Sequence, residues 1–167
     1  MRVPTVLRRP ARLRPVPLLA VAVVLAAAVA LAGWTADRHA GQRDQAVRQA
    51  LATAPAAAKA LFSYDYRTFD ESVANGRDFA TGAFAEEYAQ TTAALKATAT
   101  KQQAVVLAEV SATGVVSAEA DRVELLLYLN QYRRNVTTAG EKVDQNRVVL
   151  TMVPVRGEWK VVKATAI

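Results

Sequence analysis

The apolar residues between His39 and Phe62 recur at intervals of three or four positions. This is helical spacing with one buried stripe, so the pattern predicts a first helix. Pro55 stands inside that stretch and lacks a backbone N–H donor. We therefore expect the helix to bend or restart at Pro55, with Thr53 as the cap of the restarted turn.

Two shorter helices are predicted next along the chain. Residues 68–71, Thr-Phe-Asp-Glu, match the S/T-x-x-E capping box, which predicts a second helix over residues 69–75 that ends near Gly76. A third helix is expected after Thr81, because the helical period returns there. Its apolar face would hold Phe84, Tyr88, Thr91 or Thr92, and Leu95.

The period changes from about 3.6 to 2 after Lys101, and β-branched residues replace alanine there, which predicts a sheet. The four predicted strands cover residues 103–116, 122–137, 142–155 and 158–164. The connections between them are short enough for antiparallel hairpins, and Gly114 predicts a bulge or bend in the first strand. Helices followed by a strand meander predict an α+β domain, with about three helices on one face of a four-stranded antiparallel sheet.

The second predicted strand is apolar on both sides. Side chains alternate along a strand, so one side carries Val123, Leu125, Leu127 and Leu129, and the other carries Leu126, Tyr128 and Tyr132. Two explanations stay open at this stage. Either the chain itself covers both sides, or the second side docks onto another subunit, as contiguous apolar surface tends to indicate. The sequence does not say which side faces the helices.

Residues 15–36 carry no charge, and a hydrocarbon core of ~30 Å needs about 20 helical residues, so this stretch predicts one membrane-spanning helix. Basic residues before it and an aromatic residue near its end fit the positive-inside rule and interfacial anchoring. These anchor residues are Arg8, Arg9, Arg12, Arg14 and Trp34. We expect a basic cytoplasmic segment 1–14, a transmembrane helix 15–36 in the cell membrane, and an extracytoplasmic domain 37–167. A cleaved secretory signal is the alternative, and it exports the same domain.

The net charge of +6 does not indicate a nucleic-acid-binding surface. All 15 Asp and Glu residues lie beyond residue 36, together with 16 of the 21 Lys and Arg residues, so the exported part is nearly neutral. Cysteine is absent and His39 is the single histidine. This composition excludes thiolate chemistry, disulfides and mechanisms that need two histidines. We expect no catalytic residue, metal or cofactor.

The carboxylates that come closest to forming a catalytic pair in the sequence are Asp65, Asp70 and Glu71. Asp70 and Glu71 fall in the first turn of the second predicted helix, where negative charge is favoured by the helix dipole, so we assign them a structural role. Glu109 and Glu124 fall on predicted strands, and the sequence does not place them inside or outside the fold.

The densest aromatic cluster covers residues 63–69 and contains Tyr64, Asp65, Tyr66 and Arg67. Tyrosines beside an acidic and a basic residue are typical of a surface recognition patch. The alternative is that the rings plug the open end of the sheet while Asp65 and Arg67 pair locally. Together with Leu126, Tyr128 and Tyr132, these four residues are our interface candidates.

Several short segments, in their order along the chain, resemble actinobacterial Mce-associated membrane proteins. They are the Arg-rich start with its single span, residues 61–70, residues 80–84 with Tyr88, and residues 114–117, 143–147 and 157–161. The resemblance implies a membrane-tethered relative of the nuclear transport factor 2 fold, a cone of helices against a curved antiparallel sheet. It also implies similarity to the periplasmic assembly subunit of type IV secretion systems.

The resemblance further implies a non-catalytic accessory role in Mce complexes, which import lipids or sterols through the cell envelope. The partners would then be the lipid bilayer and other envelope proteins, the Mce subunits, without nucleic acid, and self-association as a homodimer stays open. Two competing functions are kept: an exported lipid-binding module, and an isomerase-like enzyme with an acid/base pair in the cone of the same fold.

Overall fold

The structure is a computed structural model that describes residues 16–137 and 139–167, with side chains described for residue 38 and from residue 40 onward. The chain divides into two compact units at residue 38, and the second unit holds the sheet. The predicted basic segment 1–14 lies outside the described residues, as do the side chains of the predicted span 15–36 and of His39. Within the described part of the chain, no helix has an apolar stretch long enough to cross a membrane.

Among the described residues, the α-helices are α1 (Val16–Phe62), α2 (Phe69–Phe79) and α3 (Gly82–Gln102), and a short 3₁₀ helix covers Tyr66–Thr68. The restart expected at Pro55 is wrong, because α1 continues through it. The hydroxyl of Thr53 does not cap a new turn; it donates to the carbonyl of Gln49 at 3.0 Å. Ala54 and Ala57 on either side of the proline are fully buried, so packing holds this part of α1 in place despite the missing backbone donor.

The predicted end of the second helix near Gly76 is also wrong, since α2 runs on to Phe79. Gly76 lies inside the helix for steric reasons: a Cβ there would lie 2.1 Å from the Tyr88 hydroxyl oxygen and 2.9 Å from the carbonyl oxygen of Ala60. Thr68 is the N-cap of α2 as predicted, but its side chain makes no capping bond. Its carbonyl instead accepts a hydrogen bond from Ser72 Oγ at 3.0 Å.

The sheet has five antiparallel strands that pair in chain order: β1 (Tyr64–Asp65), β2 (Val105–Ala118), β3 (Val123–Arg134), β4 (Lys142–Val155) and β5 (Glu158–Ala166). Strand β1 was not predicted, because two residues show no periodicity. The α+β class and the antiparallel meander of the last four strands are confirmed, but β1 precedes α2 and α3, so the predicted order of helices before sheet holds only for β2 onward. Strand β2 has two register shifts, after Val110 and after Val115, and Gly114 lies between them.

The core forms between α1 and one face of the sheet, which we call the inner face. Small side chains of α1 meet large apolar ones of β3, β4 and β5 in one buried cluster. The fully buried large residues of that face are Val123, Leu125, Leu127, Leu129, Leu150, Met152 and Val161. A hydrogen bond of 3.0 Å from Trp159 Nε1 to Gln49 Oε1 joins β5 to α1 at the edge of this core. The helices therefore use one face of the sheet.

We predict that Gly76→Ala destabilises the domain by about 1–3 kcal/mol, because the added methyl group overlaps Tyr88 and the backbone of α1. The matched control is Gly41→Ala, also in a helix, where a Cβ meets nothing within 4 Å. Helix propensity alone makes that change neutral or stabilising by up to about 1 kcal/mol. Thermal unfolding followed by circular dichroism measures both. Equal melting temperatures for the two variants would contradict the close approach.

Candidate functional site

The face of the sheet turned away from the helices, which we call the outer face, carries apolar and aromatic side chains that are partly exposed to solvent. Its Leu107, Tyr128 and Val143 are 38%, 41% and 52% exposed. The apolar and aromatic residues of this face are Leu107, Leu126, Tyr128, Tyr132, Val143 and Val149. Scattered surface residues of this kind need no explanation, but a set sharing one sheet face is typical of a contact surface.

Cross-strand pairing arranges these residues in rows. Tyr132 is paired with Leu107 on one side and Val143 on the other. Two rows further along the face, the guanidinium carbon of Arg147 lies 5.4 Å from the centre of the Tyr128 ring. Such an arginine over an aromatic ring holds its orientation by cation–π attraction. The face thus combines fixed aromatic rings with aliphatic neighbours.

A hollow of about 380 Å³ lies at one end of the outer face and brings two of the predicted interface groups together. Arg67, from the turn after β1, and Tyr132, from β3, both line it. The remaining lining residues are Val105, Leu107, Glu109, Arg134 and Glu141. The Arg134 guanidinium and the Glu141 carboxylate approach to 2.7 Å at its edge. Apolar and paired ionic groups therefore meet in one depression.

Asp65 and Arg67 pair with each other in this region. The backbone N–H of Arg67 donates to Asp65 Oδ1 at 2.9 Å, and its Nε donates to the same oxygen at 2.9 Å. The side-chain hydrogen bond from Arg67 holds the pKa of Asp65 below its ordinary value. Since the pair occupies one edge of the guanidinium, Arg67 presents a fixed cation at the hollow.

Tyr64 lies on the other side of the sheet from Arg67. Its ring packs edge-on against Phe69, with centroids 5.5 Å apart, and it lines the space beneath the helices. Burial raises the pKa of Tyr64, and the nearby charge of Arg133 opposes this. The aromatic cluster is therefore split: Tyr64 plugs the inner side, whereas Tyr66 lies under the Arg67 guanidinium at 5.9 Å.

The carboxylates whose positions the sequence left open, Glu109 and Glu124, both lie on the outer face, paired with Asn130 and Thr151 in the register of the sheet. Glu124 accepts a hydrogen bond of 3.1 Å from Ser117. Asp70, in the first turn of α2, forms an ion pair with Lys96, whose Nζ lies 2.7 Å from Asp70 Oδ2. Glu124 and Asp70 therefore make surface contacts, and Glu109 is exposed at the hollow.

A cavity of about 330 Å³ lies beneath the helices on the inner side of the sheet. Leu61, Tyr64, Phe69, Phe84, Tyr88 and Leu95 are among its lining residues. Burial raises the pKa of Tyr88. The carboxylate that lines this cavity is Glu87, and its residue is exposed. The predicted face of the third helix therefore borders a cavity as well as the core.

Sequence reasoning missed the outer-face residues Leu107 and Val143 and the ion pair at the edge of the hollow. The signal that identifies them is strand register: both are cross-strand partners of Tyr132. Register is a property of two paired strands, and the period-2 pattern of a single strand does not reveal it.

Comparison with known sequences finds distant relatives. No family model matches the chain. Two uncharacterized proteins of Mycobacterium tuberculosis, from strains CDC 1551 and H37Rv, are each 29% identical over 160 residues, covering 93% of this chain and 72% of the relative.

Comparison with solved structures identifies the fold. Agrobacterium tumefaciens VirB8 superposes with a TM-score of 0.59 at 12% identity, covering 74% of this chain and 92% of that one. CagV, a VirB8 homolog of a type IV secretion system in Helicobacter pylori, gives 0.57 at 9% identity, covering 69% and 93%. An IcmL-like type IV secretion protein of Legionella pneumophila gives 0.57 at 15%, covering 68% and 88%. The VirB8-like fold implied by the sequence resemblance is confirmed.

The two faces of β3 predict opposite responses to a charge. Leu127→Glu places an uncompensated charge in the fully buried inner face, which costs about 3–5 kcal/mol. Tyr128→Glu, one residue along on the outer face, changes the free energy of unfolding by about 0.5 kcal/mol or less. Chemical denaturation of both variants measures the difference. If Tyr128→Glu unfolds the domain as Leu127→Glu does, the outer face is covered within one chain.

Proposed function

We propose that this chain is a non-catalytic, single-pass accessory protein of the cell envelope, whose exported domain binds and stabilises subunits of an Mce-type lipid or sterol import complex. The observation that carries the proposal is the outer face: β3 is apolar on both sides, and among the described residues the helices pack on the inner side. Tyr128 and Tyr132 are the central contacts in this proposal.

The size of the outer face fits a protein partner. Four strands about 4.8 Å apart and ~12 residues long, at ~3.3 Å per residue, cover roughly 750 Å². A stable protein interface buries about 800 Å² on each partner. The outer face alone is therefore close to the area that one partner subunit needs.

The chemistry of the outer face also fits a protein partner. Tyrosine and arginine are enriched in the centres of protein interfaces, while lysine and glutamate are depleted there. Tyr128 is fixed by Arg147, and Tyr132 lies between two aliphatic neighbours. Rigid rings lose little conformational entropy on binding, so they are efficient contact residues.

Two further parts of the proposal rest on the sequence. Residues 15–36 are proposed to anchor the chain with its N-terminus in the cytoplasm, which places the domain outside the membrane. The Mce subunits are proposed as partners on the resemblance carried by residues 61–70, 80–84 and 143–147. The VirB8-like fold supports the coarser proposal, because the solved neighbours are themselves secretion-system proteins.

The test is purification of the tagged full-length chain from its own membrane, followed by identification of the proteins that elute with it. We expect Tyr128→Glu and Tyr132→Glu to lose these proteins, since removing a central contact costs about 2 kcal/mol, roughly 30-fold in Kd. The matched control is Ala94→Glu, which adds the same charge on the exposed surface of α3. Equal recovery from all three variants would refute the outer face as the binding surface, and elution without Mce subunits would refute that partner.

A further inference from the structure

The cavity of about 330 Å³ beneath the helices has a definite construction. On the helical side it is bordered by α2 and α3, through Phe69 and Phe84. On the sheet side it is bordered by the inner-face residues Val148 of β4 and Ala164 of β5. The volume lies at the lower end of the range of ~300–1,000 Å³ that small-molecule sites occupy.

The cavity exists because the side chains of α3 and those of the facing strand do not reach far enough to contact each other. Ala99 is the buried residue of α3, whereas Phe84, Tyr88 and Leu95 on its inward side remain half-buried. The strand opposite them contributes Ala164. The large rings of α3 stay half-buried, and the strand residues opposite them are small. The space between them is therefore lined by apolar groups, and no side chain of the described residues fills it.

The polar groups of the wall are few, and several are already used within the protein. Thr92 donates to the carbonyl of Tyr88 at 2.7 Å, and Ser63 Oγ accepts from the N–H of Ala108 at 2.9 Å. Gln131 Oε1 accepts from Asn146 Nδ2 at 2.6 Å, which leaves the amide N–H₂ of Gln131 as a donor. Thr91, at the rim, has no hydrogen-bond partner among the described residues.

The charge of the wall discriminates between ligands. Glu87 lines the cavity, and among the described lining residues it is the one charged group, without a lysine or arginine. A fatty-acid carboxylate or a phosphate group would therefore meet a like charge and no lysine or arginine in the wall, since Arg133, whose charge acts on Tyr64, is itself paired with Asp144. A neutral molecule would meet apolar surface and a few uncharged residues that can form hydrogen bonds, which are Tyr64, Tyr88, Thr91 and Gln131.

We propose that this cavity binds a small, uncharged and largely apolar molecule with one hydrogen-bonding group, and that Glu87 at its rim disfavours anions. The site is separate from the outer face and goes beyond the role of the domain as a protein-binding accessory. Thr91 and the Gln131 amide are the groups that hold the polar end, while Phe69, Phe84 and Leu95 surround the apolar body.

The test uses two fluorescent probes that differ by one sulfonate, the neutral N-phenyl-1-naphthylamine and the anionic 1-anilinonaphthalene-8-sulfonate. Both are titrated into the full-length protein in detergent. Leu95→Trp, which fills the cavity, supplies the background from the micelles. We expect the wild type to bind the neutral probe above this background and at least about tenfold more tightly than the anionic one. Equal signals from the wild type and Leu95→Trp would overturn the proposal.

The role of the charge on Glu87 is tested by two charge-reversal variants at neighbouring positions. Glu87→Lys reverses the charge at the rim, so we expect binding of the anionic probe to tighten by about tenfold while the neutral probe changes little. Glu86→Lys makes the same change at the neighbouring exposed position, which does not line the cavity, and should leave both probes unchanged. If both variants act alike, the selection against anions is overturned.

Ala166→Leu fills the cavity from β5 and replaces Leu95→Trp if that variant does not fold.

Discussion

The close packing of small α1 side chains against the inner face of the sheet is the contact on which the remaining structure depends. Ala46, Ala50, Ala54, Ala57 and Ala58 recur at helical spacing and are 3% exposed or less. An alanine gains little by its own burial, but it lets the helix lie directly on the large side chains of β3, β4 and β5. Those side chains supply about 1.5–3 kcal/mol each when fully buried. The buried alanines of α1 therefore reflect a packing requirement of this helix.

Two surfaces of different character follow from this contact. Because α1 occupies the inner face next to β3, the opposite side of the same strand keeps Leu126 and Tyr128 available to a partner. Because α3 lies over the part of the inner face that α1 does not fill, a space remains between Leu95 and Ala164. The first surface is broad and matches what a protein partner needs, and the second is a small, half-open cavity that matches a neutral apolar molecule. The proposed protein-binding surface and the proposed small-molecule site therefore lie on opposite sides of one sheet.

Local patterns predicted the elements well and the spatial relations poorly. Residues 142–155 were predicted as a strand and form β4 without change, because this segment is rich in β-branched residues and turn residues bound it at both ends. Gly76 was misread as a helix end, since the ring that requires a glycine there comes from a different helix. The two-sided pattern of β3 was visible, but its outer side was not identified, because that depends on where α1 packs. Arg67 and Tyr132 were both candidates, yet their meeting in one hollow depends on the register between β2 and β3.

The outer face of the sheet is proposed to contact a partner protein in the envelope. Site-specific photo-crosslinking in intact cells tests it most directly, with a benzophenone amino acid placed at Tyr128 in the full-length chain. The matched position is Ala94, exposed on α3 on the helical side of the domain. We expect a covalent adduct with another envelope protein from position 128 and a much weaker one from position 94. Strong adducts from position 94 and none from position 128 would contradict it.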